Sequence, residues 1–227
     1  MHTESYPPIL YFGTPVVLIS TLNDDDTSNL APMSSIFWLG WRCMIGLSAL
    51  SKTTENILRQ KECVLNLPSV NEVSAVNRLA LTTGSNPVPE GKLKKGYRYE
   101  PDKFALAQVT AEPSLVVHPP RVKECPVHLE AQMVGVYPLG DESPAQRGRI
   151  LTFELSILKV HLSPSILMQG HPNKVDPDKW KPLIMSFQQF YGLTDRISPS
   201  TLSSIPEHAY QTPDWLAAQA LPVKPIR

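Results

Sequence analysis

The sequence predicts a mainly β protein: an antiparallel barrel with a few flanking helices. Three observations carry this. Runs rich in β-branched and aromatic residues recur, as in YFGTPVVLISTL at 11–22, CVLNL at 63–67 and RILTFELSILKV at 149–160. The early runs are not separated by helices in a regular βαβ rhythm, and no glycine-rich nucleotide fingerprint follows them. Two long runs, Cys125–Val136 and Arg149–Val160, flank a polar turn at Tyr137–Gly148 and read as an antiparallel hairpin.

The elements follow in order. Tyr11–Leu22 is the first strand. Asn23-Asp24-Asp25-Asp26 is a turn cluster; its three acids lack a further ligand at calcium-loop spacing, so a solvated hairpin tip is expected and no metal. Asn29 to about Leu39 is the second strand and Cys43–Ala49 the third. A helix follows over Thr53–Gln60, then a short buried strand, Cys63–Leu67. Ser69 with Glu72 three residues on forms a capping box, and Val73, Val76, Leu79 and Ala80 give the next helix its apolar face. Thr82–Lys103 is polar and rich in Gly, Pro and Lys: a surface loop, or a flap near a ligand with Lys92, Lys94, Lys95 and Arg98 as anion contacts. His171–Asp178 is a loop, with Asp176-Pro177 as a helix start. Trp180–Tyr191 has helical spacing interrupted by Pro182. Ser198–Arg227 holds five prolines, one short helix at Asp214–Ala220, and apolar residues (Tyr210, Trp215, Leu216) suited to packing on a second subunit.

Composition bounds the function. The 227 residues suit a single domain over 1–227, with a barrel core at about 9–165 and a C-terminal extension at about 166–227. Lys+Arg and Asp+Glu are equal at 21 each, which argues against nucleic acid as the main partner and tolerates self-association. Neither a secretory leader nor an apolar run of membrane-span length is visible, so a cytoplasmic protein with no membrane partner is expected. Cys43, Cys63 and Cys125 are odd in number and form no C-x-x-C pair, which suits small buried hydrophobes in a reducing compartment. The histidines are scattered, without metal spacing.

One region carries chemistry. Ser51-Lys52-Thr53-Thr54 gathers hydroxyls around an ammonium at a helix start, where free N–H groups and the dipole favour an anion. Upstream, Asn29–Ser35 places small and polar residues in a strand, where a flat ligand can lie close to the backbone. An ordinary N-cap explains the first cluster alone; the two together suggest a phosphorylated, planar cofactor.

The runs STLNDDDTSNLAPMSSIFWLGW, GLSALSKTTENIL and CVLNLPS, continued by LTTGSNPVPEGKLKKGYRYEPDKF, ECPVHLEAQM and GHPNKVDPDKWKPLI, resemble the flavin reductase-like proteins of the FMN-binding split-barrel group. The resemblance covers about Tyr11 to Gly192 and leaves the tail after Ser198 outside it. It implies a six-stranded antiparallel split barrel with Greek-key character, a homodimer, and FMN at the dimer interface. Asn29, Ala31, Pro32, Met33, Ser34 and Ser35 would then run beside the isoalloxazine ring. Ser48, Ala49, Ser51, Lys52, Thr53 and Thr54, with Asn56, would hold the ribityl phosphate. NAD(P)H would be a co-substrate, with no acid–base side chain required. Arg42, Lys92, Arg98, Phe187 and Tyr191 are candidates for the substrate side. The chain departs from the pattern at Asp24–Asp26, which lacks the usual glycine, and at the bulky Trp180–Tyr191, whose Phe187, Phe190 and Tyr191 could close over the flavin. Three readings follow: a flavin reductase serving a flavin-dependent oxygenase, an enzyme with fixed FMN acting on a specific organic substrate, and a flavin-binding protein without turnover.

Overall fold

The computed structural model describes residues 2–223. Its main sheet has seven strands: β1 (Val17–Leu22), β2 (Ser28–Met33), β3 (Ile36–Leu39), β4 (Arg42–Ser48), β5 (Glu62–Leu67), β6 (Val127–Leu139) and β7 (Ile150–Leu162). They lie in the order β2-β1-β5-β6-β7-β4-β3, with every neighbouring pair antiparallel. The resemblance implied six strands in a barrel; the sheet has seven. The reason is local. The run at 29–39 is broken at Ser34-Ser35, so its first half pairs with β1 at one edge and its second half with β4 at the other. Two residues of chain thus join opposite edges, and the sheet must roll until those edges meet, without a ladder closing it.

Rolling encloses one apolar core. Alternate residues of the strands supply it, among them Val17 and Ile19, Ile45 and Leu47, Cys63 and Leu65, Leu129 and Ala131, Phe153 and Leu155, with Ile57 from a helix closing one end. That helix, α1 (Lys52–Gln60), is capped by Ser51, whose Oγ accepts from Thr54 N at 3.1 Å, and ends at Lys61 in the left-handed region. A second core lies outside β1 and β2, where Val16, Leu18 and Leu30 meet α2 (Val73–Leu79). The capping box is present: Ser69 N donates to Glu72 Oε2 at 2.7 Å, opening a 3-10 turn at Val70–Glu72 that leads into α2.

Three local expectations are revised. Thr82–Lys103 is ordered: Thr82–Thr83 pairs in parallel with Arg98–Tyr99 around the short α3 (Glu90–Leu93), and α4 (Lys103–Ala107) follows. Trp180–Tyr191 is not helical. Pro182 offers no N–H, and its neighbour Leu183 bridges Pro68 O and Val16 N, which holds the backbone extended. Ile184–Ser186 then pairs with Phe12–Pro15 and with Gln189–Tyr191, around a tight turn in which Phe187 and Gln188 both have positive φ. Asp176-Pro177 opens a turn, closed by Lys179 and Trp180 N–H groups on Asp176 O.

The three cysteines are free and buried. Burial pushes the Cys43 thiol up to about 12 and the Cys63 and Cys125 thiols up as well, so none supplies a thiolate near neutrality. The tail forms a helix, α5 (Pro213–Gln219), which packs on β7 of its own chain with Ala218 buried. No helix among the described residues is long and apolar enough to cross a membrane.

Candidate functional site

Two elements expected to share a ligand do meet. The start of α1 and the strand β2 form walls of one cavity of about 190 Å³, closed on its far side by Leu79–Gly84 and by Lys92, Tyr97 and Lys103. Of the candidates for the cofactor, Asn29, Ala31, Pro32, Met33, Ser48, Ser51, Lys52 and Thr53 line it; of those for the substrate side, Lys92 does. The wall carries three lysines and no carboxylate. A site so built favours an anionic ligand, because the low-dielectric walls concentrate the field of the charges.

Each polar group has a defined state. Lys52 Nζ reaches Glu55 at 2.7 Å and Asp24 at 3.4 Å. Burial alone would lower its pKa, but these two carboxylates outweigh that and raise it, so Lys52 is charged. Thr53 Oγ1 accepts from Asn29 Nδ2 at 3.3 Å, which ties the helix start to β2. Asn29 is 2% exposed, and its Oδ1 is a buried acceptor without a partner. The isoalloxazine pyrimidine carries an N–H donor that such an acceptor could satisfy. Gly84 stands beside it: a Cβ there would lie 2.6 Å from Asn29 Oδ1 and 3.2 Å from Lys52 Cγ. The bare backbone leaves the cavity its width. A planar ligand bearing an anionic group therefore fits the residues present, with Ser51, Lys52 and Thr53 at its charged end.

The remaining candidates stand around this wall. Thr54 and Asn56 point inward: Thr54 Oγ1 donates to Ser48 O at 2.8 Å, and Asn56 Nδ2 donates to Thr21 Oγ1 at 2.9 Å and Asn23 Oδ1 at 3.0 Å. They hold the helix start and the β1–β2 hairpin in register. Ser34 lies in the break between β2 and β3. Ser35 accepts Gly46 N–H through its carbonyl at 2.9 Å, and Ala49 N–H donates to Arg149 O at 2.9 Å. Arg42 lies elsewhere, in ion pairs with Glu154 at 2.6 Å and Asp214 at 3.0 Å. Arg98 pairs with Glu100, and Lys94 with Glu90. Phe187 packs edge-on against Phe12 in the small sheet and Tyr191 is exposed beside it; neither lines the cavity.

Sequence reasoning missed Gly84, Thr82, Thr83 and Lys103. The first three sit in LTTGS, a run read as flap and as part of the resemblance but not as site residues, and Lys103 figures only as the end of the polar stretch. The signal for Lys103 was its place directly before the apolar Phe104, at the start of a helix. A second, open cavity of about 720 Å³ adjoins the first and shares Asn29, Lys52 and Gly84 with it. Its character is opposite: Asp24, Asp25, Asp26, Glu100 and Asp102 line it. Asp25 there accepts from Thr27 N and Oγ1, closing the β1–β2 tip.

Comparison with known proteins follows the same line. A model of the flavin reductase like domain matches residues 9–190. The chain is 35% identical over 190 residues to the protein YdfE of Bacillus subtilis (strain 168), covering 84% of this chain and 88% of that one. Among solved structures, flavoredoxin of Desulfovibrio vulgaris (Miyazaki F) superposes with a TM-score of 0.71 at 19% identity, over 88% of this chain and 98% of that one. Nitrilotriacetate monooxygenase component B from Bacillus cereus does so with 0.66 at 17% identity, over 83% and 88%. Pseudomonas fluorescens 2-nitrobenzoate 2-nitroreductase NbaA gives 0.66 at 16%, over 85% and 87%. At such identities these structures speak for the shared fold.

Proposed function

The chain belongs to the flavin reductase-like family, and from that premise we propose that it is an FMN-binding oxidoreductase that uses NAD(P)H to reduce flavin. The observation that carries the reading is the small cavity walled by β2 and the start of α1, with three lysines and no carboxylate. Bound there, FMN would supply the two-electron chemistry, taking electrons from the nicotinamide and passing them on. The chain's own residues bind and orient. Ser51, Lys52 and Thr53 take the phosphate by charge and directed hydrogen bonds. Asn29, Ala31, Pro32 and Met33 offer the ring a flat wall, with Ser34, Ser35, Ser48 and Ala49 as adjoining backbone. Thr54 and Asn56 position the helix start.

A homodimer completes the reading. A cavity of about 190 Å³ is below the roughly 300–1,000 Å³ of small-molecule sites, and the larger cavity adjoining it is open and acidic, which supports a ligand that takes part of its cover from a second protomer. Leu39 and Leu50 are 73% and 70% exposed on the β3–β4 and β4–α1 turns, and Val134, Val136 and Leu139 are exposed on the projecting part of β6. Such a surface suits a second copy of the chain. The consumer of the reduced flavin would be a flavin-dependent oxygenase, in a reducing cytoplasm that suits three free cysteines. The fixed-FMN reading drew on Phe187 and Tyr191, which lie apart from the cavity, and nothing specific favours it. The test is anaerobic addition of NADH or NADPH to the purified protein with FMN. Loss of the flavin's visible absorption, at a rate proportional to protein, is the expected result. A protein that neither binds FMN nor bleaches it with either nucleotide overturns the reading.

A further inference from the structure

The phosphate and ring assignments leave one charge unused. Lys103, the first residue of α4, is 3% exposed and lines the cavity. Lys52 is spoken for by Glu55 and Asp24. Lys92 Nζ donates to Thr83 Oγ1 at 3.0 Å and lies 5.7 Å from the centre of the Tyr97 ring. Lys103 Nζ, by contrast, has no hydrogen bond or ion pair among the described residues. Its charged neighbours are few: Lys92 opposes its charge and Glu100 favours it, while the adjacent Asp102 carboxylate is turned to cap Ala105 N at 3.0 Å. An ammonium on a side chain this deeply buried, with Glu100 near it but no bonded partner, is costly, and a cavity wall is where a ligand can supply one.

We propose that Lys103 is the cavity's receptor for the negative charge that a flavin ring gains on reduction, so that the protein holds reduced FMN more tightly than oxidised FMN. The proposal rests on the flavin reading above. Uptake of two electrons and one proton leaves the ring with one added negative charge; an ammonium in the wall stabilises that anion and does little for the neutral oxidised ring. A reductase built this way retains its product until a partner draws it off. Burial, with Lys92 adding to it, brings the Lys103 pKa down to about 8. Unliganded, Lys103 is therefore charged near pH 7 and loses that charge as pH rises through about 8, and the preference for reduced FMN weakens with it.

The test measures dissociation constants of oxidised FMN and of chemically reduced FMN, anaerobically, for the wild type, Lys103→Met and Lys103→Arg at pH 7 and pH 9. The ratio of the two constants is the readout, and it is independent of turnover. For Lys103→Met the ratio is expected to fall about tenfold at pH 7, equivalent to about 30 mV in the two-electron potential of the bound flavin. Lys103→Arg keeps the ratio at both pH values. Equal weakening of both forms in Lys103→Met, or a wild-type ratio unchanged between pH 7 and pH 9, overturns the proposal. The wild-type pH arm and the Arg variant decide the matter even if the Met variant folds poorly. A wild type that binds neither form overturns the flavin reading itself, and this proposal with it.

Discussion

Asn29 and Gly84 meet across the cavity wall: the Asn29 Oδ1, buried and without a donor, lies 2.6 Å from where a Cβ on Gly84 would stand. The Asn29 amide cannot swing away freely, because its Nδ2 is shared between Thr21 and Thr53. Gly84→Ala must therefore displace that amide and also crowd the Lys52 stem, both of which face the proposed ligand. The expected result is FMN binding about tenfold weaker, roughly 1.4 kcal/mol, with the fold intact. Flavin fluorescence titration beside a thermal melt checks this. Unchanged affinity would show that the Asn29 carboxamide is not part of the site.

Lys52→Ala removes the ammonium at the α1 start. Its loss should weaken FMN binding by roughly 1.5–3 kcal/mol, the worth of a charged hydrogen bond. Riboflavin, which lacks the phosphate, should bind the variant and the wild type alike. That comparison separates loss of a phosphate contact from general damage. Equal losses for FMN and riboflavin would place the phosphate elsewhere.

What the sequence made legible was what local chemistry decides. Ser51–Thr54 read as a capped helix start because Ser and Thr beside a periodic run have few other uses, and the Ser69–Glu72 box read the same way. The β6–β7 hairpin was visible in its long β-branched runs. What the sequence hid depended on partners distant in the chain. The break at Ser34-Ser35 turns one predicted strand into both edges of a rolled sheet, and only pairing with β1 and β4 reveals it. Trp180–Tyr191 has helical spacing, but Pro182 and the ladder with Phe12–Pro15 override it. Arg42 reads equally as a ligand contact or as half of a salt bridge, and its partner Asp214 lies far along the chain. Lys103 closes a polar stretch, and nothing local says that it is buried. The histidines looked scattered, yet His128 and His161 are direct cross-strand partners in β6 and β7.

Beside that pair lies Glu130, fully buried on β6. Its carboxylate accepts the backbone N–H groups of Leu115, Val116 and Val117 at 2.8, 2.6 and 3.2 Å, and faces His161 Nε2 at 2.7 Å. Burial alone would raise its pKa, but the His161 bond and the Leu115 and Val116 N–H groups outweigh that and lower it. A lowered carboxylate pKa contributes stability that is present above the ordinary value of 4.5 and is lost as pH falls through the lower folded value. Glu130→Gln offers one oxygen where the carboxylate offered two and directs an NH₂ at the loop. It should cost about 3 kcal/mol. Urea unfolding at pH 7 and pH 4 measures both claims; a variant as stable as the wild type would show that the loop closes without this carboxylate.

The tail gives the last prediction. The family match ends at residue 190, and much of the stretch before α5 is exposed, with Ile197 at 96%. α5 is held by Asp214, whose two oxygens take Arg42 Nε and Nη2 at 3.0 Å each, while Glu154 takes Nη1 at 2.6 Å. All three guanidinium nitrogens are engaged, two of them in a bidentate pair with Asp214, so a lysine at position 42 could not replace it. The Arg42 bond holds the Asp214 carboxyl below the usual 3.8, so docking of α5 should be insensitive to pH through the neutral range and loosen only in acid below that value. Asp214→Ala should free the segment 193–212 at neutral pH. Limited proteolysis is the measurement: cleavage in that segment should speed up several-fold while the core at 9–190 survives intact. Arg42→Met should loosen it further, since Glu154 and Asp214 would then face each other without a cation. Equal cleavage rates in wild type and Asp214→Ala would mean that Trp215 and Ala218 packing alone holds the helix, and that the ion pair contributes nothing to docking.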